Sequence, residues 1–237
     1  MEFNVRSQPL NVLITSAASR TAKIVTEVLR TEYTMTLTDL PGNSSGEMVS
    51  CDLGHEGPTK DLVSGVDAIV NIGFQGQSGV ATHLMDYHTR CMYNLLEAAS
   101  GGGVARFVNV STLRLYEDHE ENLVVTERWR PDPSAENVDL LSAHLCEAVC
   151  KEFARDRLIQ VVNLRLGWPF VPDISPVTTE TAAISYELIV AAIRESLVSE
   201  DLGQWQDIHV QSPVEHQRFI TDTAGKLLPG LLEELGR

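Results

Sequence analysis

Apolar and polar positions along this chain fall into short β-rich runs that alternate with longer stretches of helical period. "NVLITS" reads as a strand, and "RTAKIVTEVLRTE" as a helix whose Ile24, Val25, Val28 and Leu29 share one side. "YTMTLTDL" is a strand that stops at Pro41-Gly42, and "VSCDL" is a short one. "TKDLVSGV" is a short helix and "DAIVNIGF" a nearly continuous apolar strand. "VATHLMDYHTRCMYNLLEAAS" predicts a long helix with its stop at Gly101-Gly102-Gly103. "ARFVNVST" is a strand, "AENVDLLSAHLCEAVCKEFARDR" a long helix and "IQVVNLRLG" a strand. After Pro169 the pattern is less regular, with a helix over "ISYELIVAAIRESLVSE", a strand near "DIHVQS" and a short helix around "TAGKLLPGLLEELG".

This alternation predicts an α/β fold, a parallel doubly wound sheet of the Rossmann type with about six or seven strands. Ligands bind such sheets at the carboxyl ends of the strands. Residues 1–172 read as the dinucleotide-binding-type domain, and residues 173–237 as a small C-terminal lobe completing it.

Composition narrows the classes. A chain of 237 residues, 43% hydrophobic and 22% charged, suits one α/β domain with a full core. A net charge of −15 speaks against nucleic acid and against an anionic membrane surface, which select positive charge. No apolar run reaches the roughly 18 residues of a membrane span, and no basic-then-apolar leader opens the chain. A soluble, cytoplasmic protein is the expectation. Cys51, Cys91, Cys146 and Cys150 form no C-x-x-C pair. Cys146 and Cys150 stand one helical turn apart, where two buried thiols are a simpler reading than a metal site. Neither H-E-x-x-H nor G-x-S-x-G occurs, and no metal is expected.

Six stretches in order carry a resemblance: the turn Thr15 to Ala22, "TDL" ending at Leu40, "CDL" at Cys51–Leu53, "GVDAIVNIG", "YNLLEAASGGGVARFVNVST" and "LRLGWPFVP". With these the chain resembles the short-chain dehydrogenase/reductase superfamily. The closest likeness is to its extended NAD-dependent epimerase/dehydratase branch, with the uronate dehydrogenase-like members. The likeness runs from about Asn11 to Pro172.

The resemblance implies NAD as cofactor. It would be held by Ser16, Ala18, Ser19, Arg20 and Thr21 of the phosphate turn and by Asp39 at the adenosine ribose. Asp52 and Leu53 would lie beside the adenine, and Gly73 at the end of the fourth strand. Asp39 follows the turn at close to the usual spacing of about 20 residues, and its carboxylate favours NAD over NADP. The turn departs from the family's three glycines, which Ser16, Ser19 and Ala22 replace. A serine held at positive φ costs about 1 kcal/mol, and an added side chain intrudes on the pyrophosphate. Weak or absent binding and useful binding both stay open.

The catalytic pattern departs further. Thr112 stands at the family's Ser/Thr position after the fifth strand. Glu147 matches the glutamate that follows the Y-x-x-x-K lysine by four, which puts Asp139 at the tyrosine position and Ala143 at the lysine position. His88 stands where the family has an asparagine. A rebuilt acid–base centre would draw on His83, His88 or His144, oriented by Asp86 or Asp139. The first functional reading is a family member that has lost dehydrogenase catalysis and acts as a binding, regulatory or scaffold subunit. The alternative is an NAD-dependent oxidoreductase or epimerase acting on a sugar, uronate or similar small polar substrate through an atypical site. A third reading is another enzyme class using the same cleft. The resemblance also implies a homodimer, or a heterodimer with a relative. It would form through Val80–Ser100 and Val138–Phe153, with Leu84, Met85, Met92, Leu95, Leu141, Leu145 and Val149.

Overall fold

The computed structural model describes residues 9–170 and 182–231. In β1 (Asn11–Ile14), Val12 and Ile14 enter one apolar cluster and Leu13 the other, all fully buried. Burial on both faces is what a parallel strand between two helix layers requires. The chain continues through α1 (Arg20–Leu29), β2 (Thr34–Asp39), β3 (Val49–Ser50), α2 (Gly57–Leu62) and β4 (Ala68–Asn71). Next come α3 (Ala81–Asp86), a π turn at Tyr87–Cys91 and α4 (Met92–Gly102). The long helix expected there is therefore interrupted in its middle. It also runs through Gly101 and Gly102 and stops only at Gly103, whose φ of 79° supplies the left-handed cap.

Then follow β5 (Arg106–Thr112), α5 (Val138–Arg155), β6 (Gln160–Leu166), β7 (Trp168–Phe170), β8 (Ala183–Ser185), α6 (Tyr186–Val198), β9 (Trp205–Val210) and α7 (Asp222–Leu227). The last helix is shorter than its sequence pattern, which lies partly outside the described residues, as do Val171 and Pro172. Side-chain caps fix three starts: Ser19 before α1, Asn137 before α5 and Ser185 before α6.

Seven strands form one sheet in the order β3-β2-β1-β4-β5-β6-β9, every pairing parallel. The order reverses between β1 and β4, and a crevice opens at such a switch point. β7 and β8 form a separate parallel pair. Of the segment expected as a small lobe, β9 is the edge strand of the main sheet, and α6 packs in the same cluster as Val12 and Ile14. A third apolar cluster, with Leu113, Tyr116, Val125, Leu140 and Phe219, gathers around the carboxyl end of β5 and α5.

A polar rail crosses one face of the sheet. Thr15 Oγ1 donates to Asn71 Oδ1, Asn71 Nδ2 to Asn109 Oδ1, Asn109 Nδ2 to Asn163 Oδ1 and Asn163 Nδ2 to Asp207 Oδ1, each at 2.8 Å. The strand register sets these residues side by side on adjacent strands. Each asparagine of the rail thereby finds a partner.

Candidate functional site

The phosphate turn joins β1 to α1. Ser16 takes φ 50°, the left-handed region that glycine adopts freely. Ser19 does not: its φ is −66°, and its Oγ accepts from Ala22 N as the helix cap. Of the two serines expected to strain the turn, only Ser16 does. Ala18 N donates to Asp39 Oδ2 at 2.9 Å, so the carboxylate expected at the ribose braces the turn. Its other oxygen accepts from Leu40 N. Asp39 itself is buried. The N–H groups of Arg20 and Thr21 keep no acceptor among the described residues, and a helix N-terminus of this kind attracts phosphate. The Arg20 guanidinium lies over the Tyr186 ring, and Thr21 is buried against the core.

The Ser16 side chain points toward the segment after β4. Its Oγ is 2.9 Å from Tyr87 Oη and accepts from Gln77 Nε2 at 2.8 Å. A Cβ built on Gly76 would lie 2.4 Å from Ser16 Cβ, so that backbone is seated directly on the turn. Gln77 Nε2 also lies 3.5 Å from Asp39 Oδ1. The side chain therefore spans the crevice from turn to carboxylate, on the path a dinucleotide's ribose and pyrophosphate would follow. The residues present fit a dinucleotide in part: the helix N-terminus, the Asp39 carboxylate and a turn of small residues are in place, while Gln77 and the Gly76 backbone lie across them. Gly73, at φ 51°, admits no side chain, since a Cβ there would meet Val110 O at 2.8 Å. Leu53 is buried and also at φ 50°, whereas Asp52 is exposed and accepts from Gly54 N.

The four candidate catalytic residues do not converge. His88 and Asp139 line a crevice of about 170 Å³ together with Phe74, Gln77 and Ser142. His88 is buried, and its Nδ1 has no hydrogen-bond partner. Asp139 is exposed at the mouth. Thr112 is buried, and its Oγ1 accepts from Arg114 N, capping a short 3-10 turn. His144 points into another cavity, about 350 Å³, on a different face of α5. His144 and His88 therefore do not share one cavity, and of the two only His88 lies with Asp139. His83 lies 3.4 Å from Gln77 Oε1, and Asp86 is paired with Arg90.

All four cysteines are buried free thiols. The Cys150 thiol and the His88 ring beside it pull the Cys146 thiol down against the cost of burial, while burial pushes Cys150 well up. No group of three or more His, Cys, Asp or Glu side chains suited to a metal occurs among the described residues. Nor is any described helix long and apolar enough to cross a membrane.

Sequence reasoning missed Gln77 and Tyr87, which nothing in a loop or helix pattern marks. It also missed Arg165. Burial pushes the Arg165 charge down, but Glu147 and Asp207 more than restore it, at 2.7 and 3.2 Å. Glu147 is held below the usual carboxylate range by Arg165 despite its burial. Ser111 Oγ donates to Glu147 Oε1 at 2.5 Å.

Comparison with known proteins adds to this geometry. The family model described as the NAD dependent epimerase/dehydratase family matches residues 11–211. No curated protein matches the chain. Among solved structures, the chain is similar to a glucuronic acid dehydrogenase from Chromohalobacter salexigens. That match has 21% identity and a TM-score of 0.78, and it covers 92% of this chain and 82% of that one. It is also similar to a uronate dehydrogenase from Agrobacterium tumefaciens, a tyrosine-to-alanine mutant complexed with NAD. There the identity is 19% and the TM-score 0.79, over 96% and 89% of the two chains. A UDP-N-acetylglucosamine 4-epimerase from Bacillus cereus matches at 17% identity and TM-score 0.73, over 95% and 97%.

Proposed function

The chain belongs to the NAD-dependent epimerase/dehydratase family, and from that membership we propose a protein with a nicotinamide-dinucleotide cleft in which the family's tyrosine–lysine chemistry is absent. The cleft then serves ligand binding, or pairing with an active relative. One observation carries this reading: Asp139 and Ala143 stand where a proton relay needs a phenol and an adjacent ammonium group. Neither side chain replaces that pair, and Thr112 is committed to its turn. The closed crevice under Gln77 supports the same reading.

A second reading is an NAD-dependent oxidoreductase or epimerase acting on a sugar, a uronate or a similar small polar compound. It is favoured by the unpartnered Nδ1 of His88 in the crevice shared with Asp139, since an imidazole is a suitable acid–base group near neutral pH. The similar solved structures lean toward this second reading. In both, Asp39 favours NAD over NADP, and the cytoplasm is the expected compartment. Self-association belongs to the same proposal. Leu84, Met92 and Leu95 are buried, but Met85, Leu141, Leu145 and Val149 are only half-buried, and Tyr93 beside them is 51% exposed.

The deciding experiment has two arms. Calorimetric titration with NAD, NADH, NADP and NADPH measures binding. Absorbance at the nicotinamide band then follows hydride transfer across sugars, uronates and small alcohols. Binding of NAD with no turnover supports the first reading. Turnover abolished by His88→Ala replaces it with the second.

A further inference from the structure

The cavity of about 350 Å³ into which His144 points is separate from the cleft. We propose that it binds a small hydroxy acid, an organic carboxylate that also carries hydroxyl groups. Its volume lies within the range of ligand pockets, roughly 300–1,000 Å³, which the crevice at His88 does not reach. The floor is built: Arg165, 4% exposed, is locked between Glu147 and Asp207, and Asp207 Oδ2 accepts from Trp205 Nε1 at 2.8 Å.

Charge selects the first half of the ligand. The walls add Lys151, Arg128 and Arg130, none paired with a carboxylate among the described residues. In a chain of net charge −15, this is a local excess of cations. Walls of low dielectric focus such a field on an anion. Lys151 Nζ lies 5.7 Å from the Trp205 ring centroid, which holds the ammonium group at the wall.

Unsatisfied atoms select the second half. Glu127 Oε1 and His144 Nδ1 are buried and have no hydrogen-bond partner. A carboxylate oxygen only accepts, so Glu127 asks its ligand for a donor, and a hydroxyl provides one. Inorganic phosphate would satisfy the cations but has no carbon skeleton for the apolar walls. A neutral polyol would satisfy Glu127 and leave the cations unpaired. Trp129 and Trp205 supply flat apolar walls for the carbon skeleton of such a ligand.

This site does not depend on what the dinucleotide cleft does, and its test omits dinucleotide. The probe is D-gluconate, followed by calorimetry and by the fluorescence of Trp129 and Trp205. Sorbitol and inorganic phosphate serve as comparisons. Saturable binding of gluconate, tighter than either comparison, is expected. Lys151→Met and Glu127→Gln should each weaken it about tenfold, with unchanged thermal melts. Three results would overturn the proposal: no saturable response to gluconate, equal binding of phosphate, or full affinity retained in both variants.

Discussion

Gln77 Nε2 donates to Ser16 Oγ at 2.8 Å and reaches to within 3.5 Å of Asp39 Oδ1, so one side chain ties the two residues that a dinucleotide needs apart. His83 supports it from behind, at 3.4 Å from Oε1. A ligand entering along the switch point must displace this amide and forfeit its bonds. Net worth for such bonds is about 0.5–1.5 kcal/mol each.

Gln77→Ala removes that competition. NAD affinity is expected to rise several-fold, up to about tenfold, as read by calorimetry beside the unmodified chain. A fall in affinity would instead make Gln77 a contact of the bound ligand.

The two serines of the turn separate by substitution. Ser16→Gly relieves a positive φ, worth about 1 kcal/mol, but takes a partner from Tyr87 Oη and Gln77. Tyr87 keeps longer bonds to Thr15 and Asn71, both at 3.3 Å. The expected result is a thermal midpoint near that of the parent and a stronger grip on NAD. Ser19→Gly relieves no strain and gives up a helix cap, at a cost of a few tenths of a kcal/mol. Denaturant midpoints for the two variants should therefore diverge in sign or size, and identical shifts would count against the assignment.

The layout of the sheet was legible because burial on both faces writes continuous apolar strands between amphipathic helices, as at "NVLITS" and "DAIVNIGF". The strands carry one further signal. "IVNIG", "FVNVS" and "VVNLR" each carry an asparagine at the same point of an apolar strand, and a buried amide demands a partner. Parallel register makes them partners of one another. The bridge from Gln77 to Ser16 was not legible, because it depends on how a loop folds across sixty-one positions of sequence. The separation of His88 from His144 was partly so. Helical phase puts positions 139 and 144 on different faces of α5, but the depth of each cavity depends on the segment around Trp129.

Arg165 and Glu147 form a pair whose halves cannot be removed independently. Both are 4% exposed, and Arg165 Nη1 also donates to Tyr116 Oη at 2.6 Å. Arg165→Met leaves the Glu147 and Asp207 carboxylates facing each other without their cation. A loss of about 3–5 kcal/mol in unfolding free energy is expected. Adding Glu147→Leu should recover part of that loss. A double variant less stable than the sum of the singles would show that the pair is not the source of the effect.

Acid should find the weak point at His209. The ring is fully buried between Tyr116 and Phe219, at 5.6 and 6.0 Å, and neither nitrogen has a well-formed hydrogen bond. Burial, with the Arg165 charge beside it, pushes its pKa down to about 3. An unfolded histidine titrates near 6.5, so between these values the unfolded chain binds the extra proton. Stability from the neutral ring is thus complete above about pH 6.5 and is lost progressively as pH falls toward 3. Glu147 has the same sign, since its lowered pKa costs stability only once pH falls below the ordinary carboxylate value of about 4.3. The window between about pH 6.5 and 4.5 therefore belongs to His209 rather than to Glu147. His209→Leu should leave stability at neutral pH unchanged or slightly higher, because two unpaired ring nitrogens leave the core. Across the acid window its urea midpoint should fall less than that of the parent. Parallel curves for the two proteins would place the acid sensitivity elsewhere.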